Sequence, residues 1–307
     1  MRKWLLGFAA AIAVALTALT LVVLVRFASW RSGVERELLA ASTVVATSRG
    51  PIEYGAIGEG PAVLVIHGTP GGYDEWLNTI ASSGNEWRGF RYIAPSRPGY
   101  LRTPLAVGAT PAQQADAFAA LLDALHVTRA AIIASSGGGP SALQFALRDP
   151  ERCSALVLEA AVVRKLSGPA AQLPTTALGA DYRDLRIYLL HLLADRYGRS
   201  PQYAGFIPIA QAELRAEVPY ALRRAGTEND MLQEARIPDW PLADIHCPTL
   251  ILQGTADKNV PLADAEYAHA EIGSSELVTL AGEDHLMSIT KHDVLARRIV
   301  AFLKEHP

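Results

Sequence analysis

One stretch of the chain is apolar on every face and the rest alternates. Trp4 to Val25 reads WLLGFAAAIAVALTALTLVVLV, 22 residues without a charge. A helix of that length spans about 33 Å at ~1.5 Å per residue, enough for a hydrocarbon core of about 30 Å. Arg2 and Lys3 precede the run, Arg26 and Arg31 follow it, and Trp30 is placed as an interfacial anchor. A cleaved signal peptide would show a shorter apolar region ending at a small-x-small site. Here Arg26-Phe27 follows instead, so residues 1–30 are expected to form an uncleaved anchor, with the lipid bilayer as partner of residues 4–25. Basic residues flank the run on both sides, so the positive-inside count does not decide orientation. The short basic head favours an inside N-terminus and an extracytoplasmic body, as a single-pass membrane protein.

Beyond the anchor, short apolar β-branched runs alternate with helical ones. Ala62–His67, Phe90–Ala94, Ala130–Ala134, Ala155–Leu158, Leu250–Leu252 and Glu276–Leu280 have the pattern of strands buried on both faces, as in a parallel sheet. Thr110-Pro111-Ala112-Gln113 is a capping-box opening with proline at the first helical position, followed by an amphipathic helix. Leu262–Ile272 and Ile289–Leu303 are further helices. The alternation predicts an α/β fold, a mostly parallel sheet with crossover helices. Residues from about 162 to 243 break it, carrying helical segments (Asp181–Tyr197, Gln211–Arg224) and no convincing strand, which reads as a helical insertion.

The charge balance changes the picture only by exclusion. With 28 basic and 31 acidic residues the net charge is −3, which argues against nucleic acid as the main partner. Two cysteines make no disulfide framework or cysteine zinc site, and the eight histidines show no metal-ligand spacing. No metal or cofactor is expected.

The chemistry sits where strands end. Ala130–Ala134 runs into Ser135-Ser136-Gly137-Gly138-Gly139-Pro140 and then a helix, the form of a nucleophile elbow, which crowds the positions two before and two after its serine. Around Ser136 those are Ala134 and Gly138, both small. Around Ser135 they are Ile133 and Gly137, and the β-branched Ile133 would clash, so Ser136 is the expected nucleophile. A phosphate-binding glycine loop is the competing reading. Glu159 does lie 20 residues past Gly139, but no P-loop lysine follows, and Ala142 stands where the dinucleotide fingerprint prefers its last glycine. Asp257, after Leu250–Leu252, and His285, after Glu276–Leu280, fall at the same sheet edge and complete a Ser136, Asp257, His285 order. His67-Gly68-Thr69-Pro70-Gly71-Gly72 follows the first strand and is expected to supply an oxyanion hole from the N–H groups of Thr69 and Gly137. Glu159, at another strand end, is the rival acid. His67 and Arg97 are expected to brace loops.

Taken in order, HGTPGG, SRPGY (Ser96–Tyr100), ASSGGGP, GTADKNVP and GEDH resemble the α/β-hydrolase fold family over about residues 50–305. The resemblance implies a core of residues 45–160 and 245–307, a helical cap over 161–244, and serine hydrolase chemistry on a small-molecule ester or amide. Ala134 departs from the family's usual glycine two before the nucleophile. The family nucleophile is Ser, Cys or Asp, and Ser136 argues against the branches that use Asp. The leading reading is a membrane-anchored esterase. The alternatives are an aminopeptidase resembling proline iminopeptidases, with Glu213, Glu217, Glu228 or Glu234 as cap acids, and a non-catalytic binding protein of the same fold.

Cys153 and Cys247 each stand three places before the first leucine of a strand flanking the insertion. Matched register would put them within disulfide reach if the domain lies in an oxidising compartment. The alternative is two small buried hydrophobes.

Overall fold

The computed structural model describes residues 2–83, 85–166, 177–197 and 206–307. Eight strands form one sheet in the order β1-β2-β4-β3-β5-β6-β7-β8. They are β1 (Thr43–Thr47), β2 (Gly50–Ile57), β3 (Ala62–Ile66), β4 (Arg91–Pro95), β5 (Ala130–Ser135), β6 (Cys153–Glu159), β7 (Thr249–Gly254) and β8 (Ser275–Leu280). All pairs from β4 through β8 are parallel, while β1–β2 and β2–β4 are antiparallel. Each of the six apolar runs is therefore a strand of the parallel part. The hairpin β1–β2 was not anticipated. Its edge position leaves half its residues in water, so no continuous apolar run marks it.

Helices cover both faces. On one, α3 (Pro111–Ala124) and α4 (Gly139–Arg148) bury Phe118, Leu121, Leu143 and Phe145 against Leu64, Ile132 and Leu156. Thr110 and Gln113 close the capping box of α3 reciprocally. On the other, α2 (Tyr73–Ser82) and α10 (His292–Glu305) pack Trp76, Ile299 and Leu303 over Val65, Ile133 and Val157. Alternate strand residues thus serve opposite cores. Between β7 and β8 runs α8 (Leu262–Glu271), and α9 (Met287–Thr290) precedes α10.

The stretch between β6 and β7 is helical where described: α5 (Ala177–Tyr197), α6 (Ile207–Arg215) and α7 (Arg224–Glu234). The helical run expected over Gln211–Arg224 is cut, because Pro219 lacks an N–H and a 3₁₀ turn, Tyr220–Leu222, follows it. Two buried ion pairs fasten this insert to the core. Arg223 contacts Asp74 of α2 at 2.8 and 3.0 Å, and Arg97 grips Asp230 of α7 at 2.5 and 2.9 Å.

The N-terminal helix α1 (Arg2–Ala40) is longer than its apolar run. From Trp4 to Val25 its large side chains point to solvent, and it is long and apolar enough to cross a membrane. Its last third is different. Phe27 and Trp30 stack on Tyr188 of α5, Arg31 pairs with Asp181 at 2.8 Å, and Val34 and Leu38 are buried.

The register of β6 on β7 sets Leu156 opposite Thr249, one residue from the match assumed between the two cysteine strands. Cys247 lies just ahead of β7, and both thiols are free with their sulfurs 3.3 Å apart. A disulfide bond of about 2.0 Å needs that gap to close by little more than about 1 Å. A small-molecule thiol oxidant should therefore convert the pair without unfolding. Intact mass after denaturing alkylation should show two adducts before oxidation and none after; two adducts after oxidation would mean that the contact cannot close.

Candidate active site

The loop after β5 must reverse direction within a few residues, and the backbone shows how. Ser135 is still extended, whereas Ser136 sits at φ 45°, in the left-handed region. A non-glycine residue there is strained and persists only when its surroundings hold it. The three residues after it have no room for side chains. A Cβ on Gly138 would lie 2.8 Å from the carbonyl oxygens of Ile66 and His67, and one on Gly137 would run into Thr69 Oγ1. The Ser136 carbonyl accepts the Val162 N–H at 2.9 Å, tying the turn to the chain leaving β6.

Three sequence-predicted residues meet at this turn. His285 Nε2 is 3.0 Å from Ser136 Oγ, and His285 Nδ1 is 2.8 Å from Asp257 Oδ2. The Asp257 side chain is fully buried and also accepts from the N–H groups of Asn259 and Val260 and from Gln253 Nε2. Burial alone would raise its carboxyl. The hydrogen bond and charge of His285, with those two backbone donors, hold it below the ordinary carboxylate range. Glu159, the rival acid, makes no hydrogen bond or ion pair with His285. Ser135 Oγ faces elsewhere and donates to Glu75 Oε1 at 2.9 Å.

Thr69 and Gly137, the expected oxyanion donors, lie against each other across the turn. Thr69 is held by its hydroxyl, which donates to Asp230 Oδ2 at 2.6 Å, while Arg97 Nη2 reaches Thr69 Oγ1 and the Gly68 carbonyl, each at 3.1 Å. His67 braces the same loop. Its Nε2 accepts the Arg97 N–H at 2.9 Å and Nδ1 lies 2.7 Å from the Gly68 carbonyl. Burial and the neighbouring Arg97 push the imidazole well below its ordinary value, so it is neutral.

Sequence reasoning missed Asp230 and Glu75. Asp230 belongs to a helix whose sequence carries no motif, and its role follows from where the insert lands. Glu75, in the first turn of α2, accepts the Gly68 N–H at 2.9 Å and so buttresses the loop before Thr69. The acids expected on a cap surface divide: Glu228 pairs with Arg224 and Glu217 with Arg183, while Glu213 and Glu234 turn inward. A cavity of about 130 Å³ opens on Ser136 and His285, walled by Trp76, Trp87 and Leu295 and by the glutamates 75, 159, 213 and 217.

Burial, helped by the charge of Glu75, pushes the Glu159 carboxyl up to about 7. Burial and Asp230 push Glu234 up to about 8 against the pull of Arg97. Both acids keep a proton in the folded protein that the unfolded chain has released above about pH 4.5, so stability falls as pH rises from there through 7 and 8. Glu159→Gln and Glu234→Gln should each raise Tm by a few degrees at about pH 8 and by little at about pH 5. Calorimetry in detergent checks this, and an equal gain at both pH values would remove ionisation as the cause.

Known proteins place the chain. It is 28% identical over 261 residues to the uncharacterized hydrolase YcgS of Bacillus subtilis, covering 79% of this chain and 90% of that protein. It is 27% identical over 276 residues to a 2-hydroxy-6-oxo-6-phenylhexa-2,4-dienoate hydrolase of Comamonas testosteroni, covering 83% and 91%. The structure of an α/β hydrolase fold protein from Nakamurella multipartita superposes with a TM-score of 0.68 at 35% identity, over 84% of this chain and 97% of that one. The sequence profile of the α/β hydrolase fold matches residues 61–292, and on that match, with the sheet order and parallel core described above, this chain belongs to the α/β-hydrolase fold family.

Proposed function

We propose that the chain is a membrane-anchored serine hydrolase that cleaves a carboxylic ester. The observation that carries the reading is the bridging of Ser136 Oγ and Asp257 Oδ2 by the two ring nitrogens of His285, at 3.0 and 2.8 Å. In this reading His285 Nε2 takes the Ser136 proton as Oγ bonds to the ester carbonyl carbon. The carbonyl electrons move to oxygen, which faces the N–H groups of Thr69 and Gly137. Collapse breaks the ester C–O bond, and the leaving alcohol takes the proton from His285. Water then repeats the sequence on the acyl-enzyme, giving the acid and restoring Ser136. Asp257 accepts the hydrogen bond from Nδ1–H throughout, and its depressed pKa keeps it ionised to stabilise the imidazolium. No step calls for a metal or cofactor.

The curated relative from Comamonas acts on a dienoate, which is an anion. A cavity walled by glutamates 75, 159, 213 and 217, with no Lys or Arg among its described lining, suits a neutral or cationic substrate better. In the same proposal the charge-free run of residues 4–25, within the expected anchor of residues 1–30, holds the protein in the bilayer, with the N-terminus inside and the body extracytoplasmic. Phe27 and Trp30 pack on Tyr188 instead of the lipid interface. Residues 45–160 and 245–307 form the core and 161–244 the cap, whose residues 167–176 and 198–205 lie outside the described residues.

Ser136→Ala and His285→Ala should each lower ester hydrolysis by about 10³-fold or more, with Ser135→Ala within about tenfold of the parent. Asp257→Asn should cost more than Glu159→Gln. Fluorophosphonate labelling that disappears with Ser135→Ala and survives Ser136→Ala would reverse the assignment, and no labelling of the parent would leave a binding protein.

Full-length protein should resist carbonate extraction. Removal of residues 1–25 should release soluble protein that still labels, because Phe27 to Leu38 keep their packing. Removal of residues 1–40 should give a less stable, aggregating product, with Ile187 and Tyr188 uncovered. Soluble full-length protein, or a new N-terminus after Ala28, would end the anchor reading. A reduced Cys153–Cys247 pair in protein taken directly from the native membrane would count against the extracytoplasmic body.

A further inference from the structure

Among the described residues, the glutamates of the cavity outnumber the cations that pair with them. Glu217 alone of the glutamates lining the cavity has a cation among the described residues, Arg183. Glu75 accepts from the Gly68 N–H and the Ser135 hydroxyl, and Glu213 from the Thr79 hydroxyl at 3.2 Å, all neutral donors. Glu159 is 4% exposed and has no hydrogen-bond partner among the described residues. The ladder pairs Ser135 with Glu159, and paired residues of parallel strands point to one face, so Glu159 shares the face on which Ser135 meets Glu75. Three elements, α2, β6 and α6, thus bring Glu75, Glu159 and Glu213 together one residue from Ser136.

Among the described residues, the neighbouring charges do not neutralise them. Arg97 and Arg223 lie behind the wall, each spent on its own carboxylate, Asp230 and Asp74. His292 is held below its ordinary value chiefly by burial, so it brings no charge, and its Nε2 is buried without a partner. His285 is engaged with Asp257 and Ser136. An unpaired buried carboxyl avoids its desolvation penalty by keeping a proton, and the upward shifts of Glu75, Glu159 and Glu213 are that response. Glutamine or leucine would serve a purely structural wall better. An ammonium group, with three N–H donors and a positive charge, suits three inward-facing carboxyls.

We propose that Glu75, Glu159 and Glu213 bind the ammonium group of the substrate, so that the serine acts on an acyl group bearing a primary amine: an aminoacyl ester or amide. This deepens the hydrolase reading and rests on Ser136 as its nucleophile. In this arrangement the acyl side chain lies against Trp76 and Leu295 in the cavity of about 130 Å³. The ammonium lies on the Ser135 side, next to the carbonyl that Ser136 attacks.

The test compares leucine methyl ester with its deaminated isostere, methyl isocaproate, near pH 7 on the full chain in detergent. The amine substrate should have the higher kcat/KM by about tenfold or more. Glu159→Gln and Glu213→Gln should bring that ratio toward one through KM of the amine substrate. Parity in the parent, or a ratio that survives both substitutions, overturns the proposal. If neither ester turns over and Ser136 takes no fluorophosphonate label, the hydrolase reading has failed. The cation site is then read by calorimetry with leucinamide against isocaproamide. Leucinamide binding that is lost in both variants supports the site, and equal or absent binding of the two amides rejects it.

Discussion

The site depends on a turn that has no room. For Ser136 to stand at the sheet edge, the chain must pass from β5 into α4 through a left-handed residue. The next three positions have close neighbours: Gly138 the carbonyls of Ile66 and His67, Gly139 the Val162 carbonyl, Gly137 the Thr69 side chain. These contacts also fix neighbours. Because Gly137 touches Thr69, the loop after β3 cannot move without the loop after β5, and because Ser136 holds the Val162 N–H, neither can the exit from β6. Parallel pairing brings β7 and β8 alongside in register, which delivers Asp257 and His285 to the same edge. One steric demand therefore ties together the ends of β3, β5 and β6, and parallel pairing adds those of β7 and β8.

Buried charge does the complementary task of positioning the insert. Arg97 is 1% exposed and its guanidinium is bound on two sides of Asp230, while the hydroxyls of Tyr100 and Thr69 donate to the same carboxylate. A pair like this contributes little net stability against an apolar replacement, yet losing one member costs about 3–5 kcal/mol by stranding the other. Its effect is on geometry. Asp230 comes from α7 and Thr69 from the loop after β3, so the Thr69 loop takes its position partly from the insert. Arg223 and Asp74 repeat the arrangement on α2.

Legibility in the sequence followed the same physics. The six parallel strands were readable because burial on both faces leaves continuous apolar runs. The strand-to-helix turn after β5 was readable because its sterics restrict residue type, and the preference for Ser136 over Ser135 rested on Ile133 alone. Asp257 and His285 could be placed at one edge since each follows a strand. What stayed hidden was set by contacts distant in sequence. The β1–β2 hairpin is half-exposed, and the break at Pro219 lies within otherwise helical residues. The one-residue shift between the cysteine strands depends on where β7 begins to pair. Glu213 looks like its exposed neighbours on a helix, and only the docking of α6 on α2 turns it inward.

That docking also joins the N-terminal helix to the cavity. Arg215 of α6, two residues past Glu213, pairs with Glu37 of α1, and Tyr73 at the start of α2 donates its hydroxyl to the Leu38 carbonyl at 2.5 Å. Arg31 of α1 pairs with Asp181 of α5, and Arg183 on that same helix pairs with Glu217. The end of α1 therefore packs between the insert and α2, the two elements that supply Glu213 and Glu75. A segment whose first two thirds have the character of a membrane span ends as part of the wall behind the glutamates. Its sequence marks the change: the charge-free run stops at Val25, and from Arg26 onward Arg31, Arg36 and Glu37 alternate with Phe27, Val34 and Leu38, the buried residues of a helix with one face on protein.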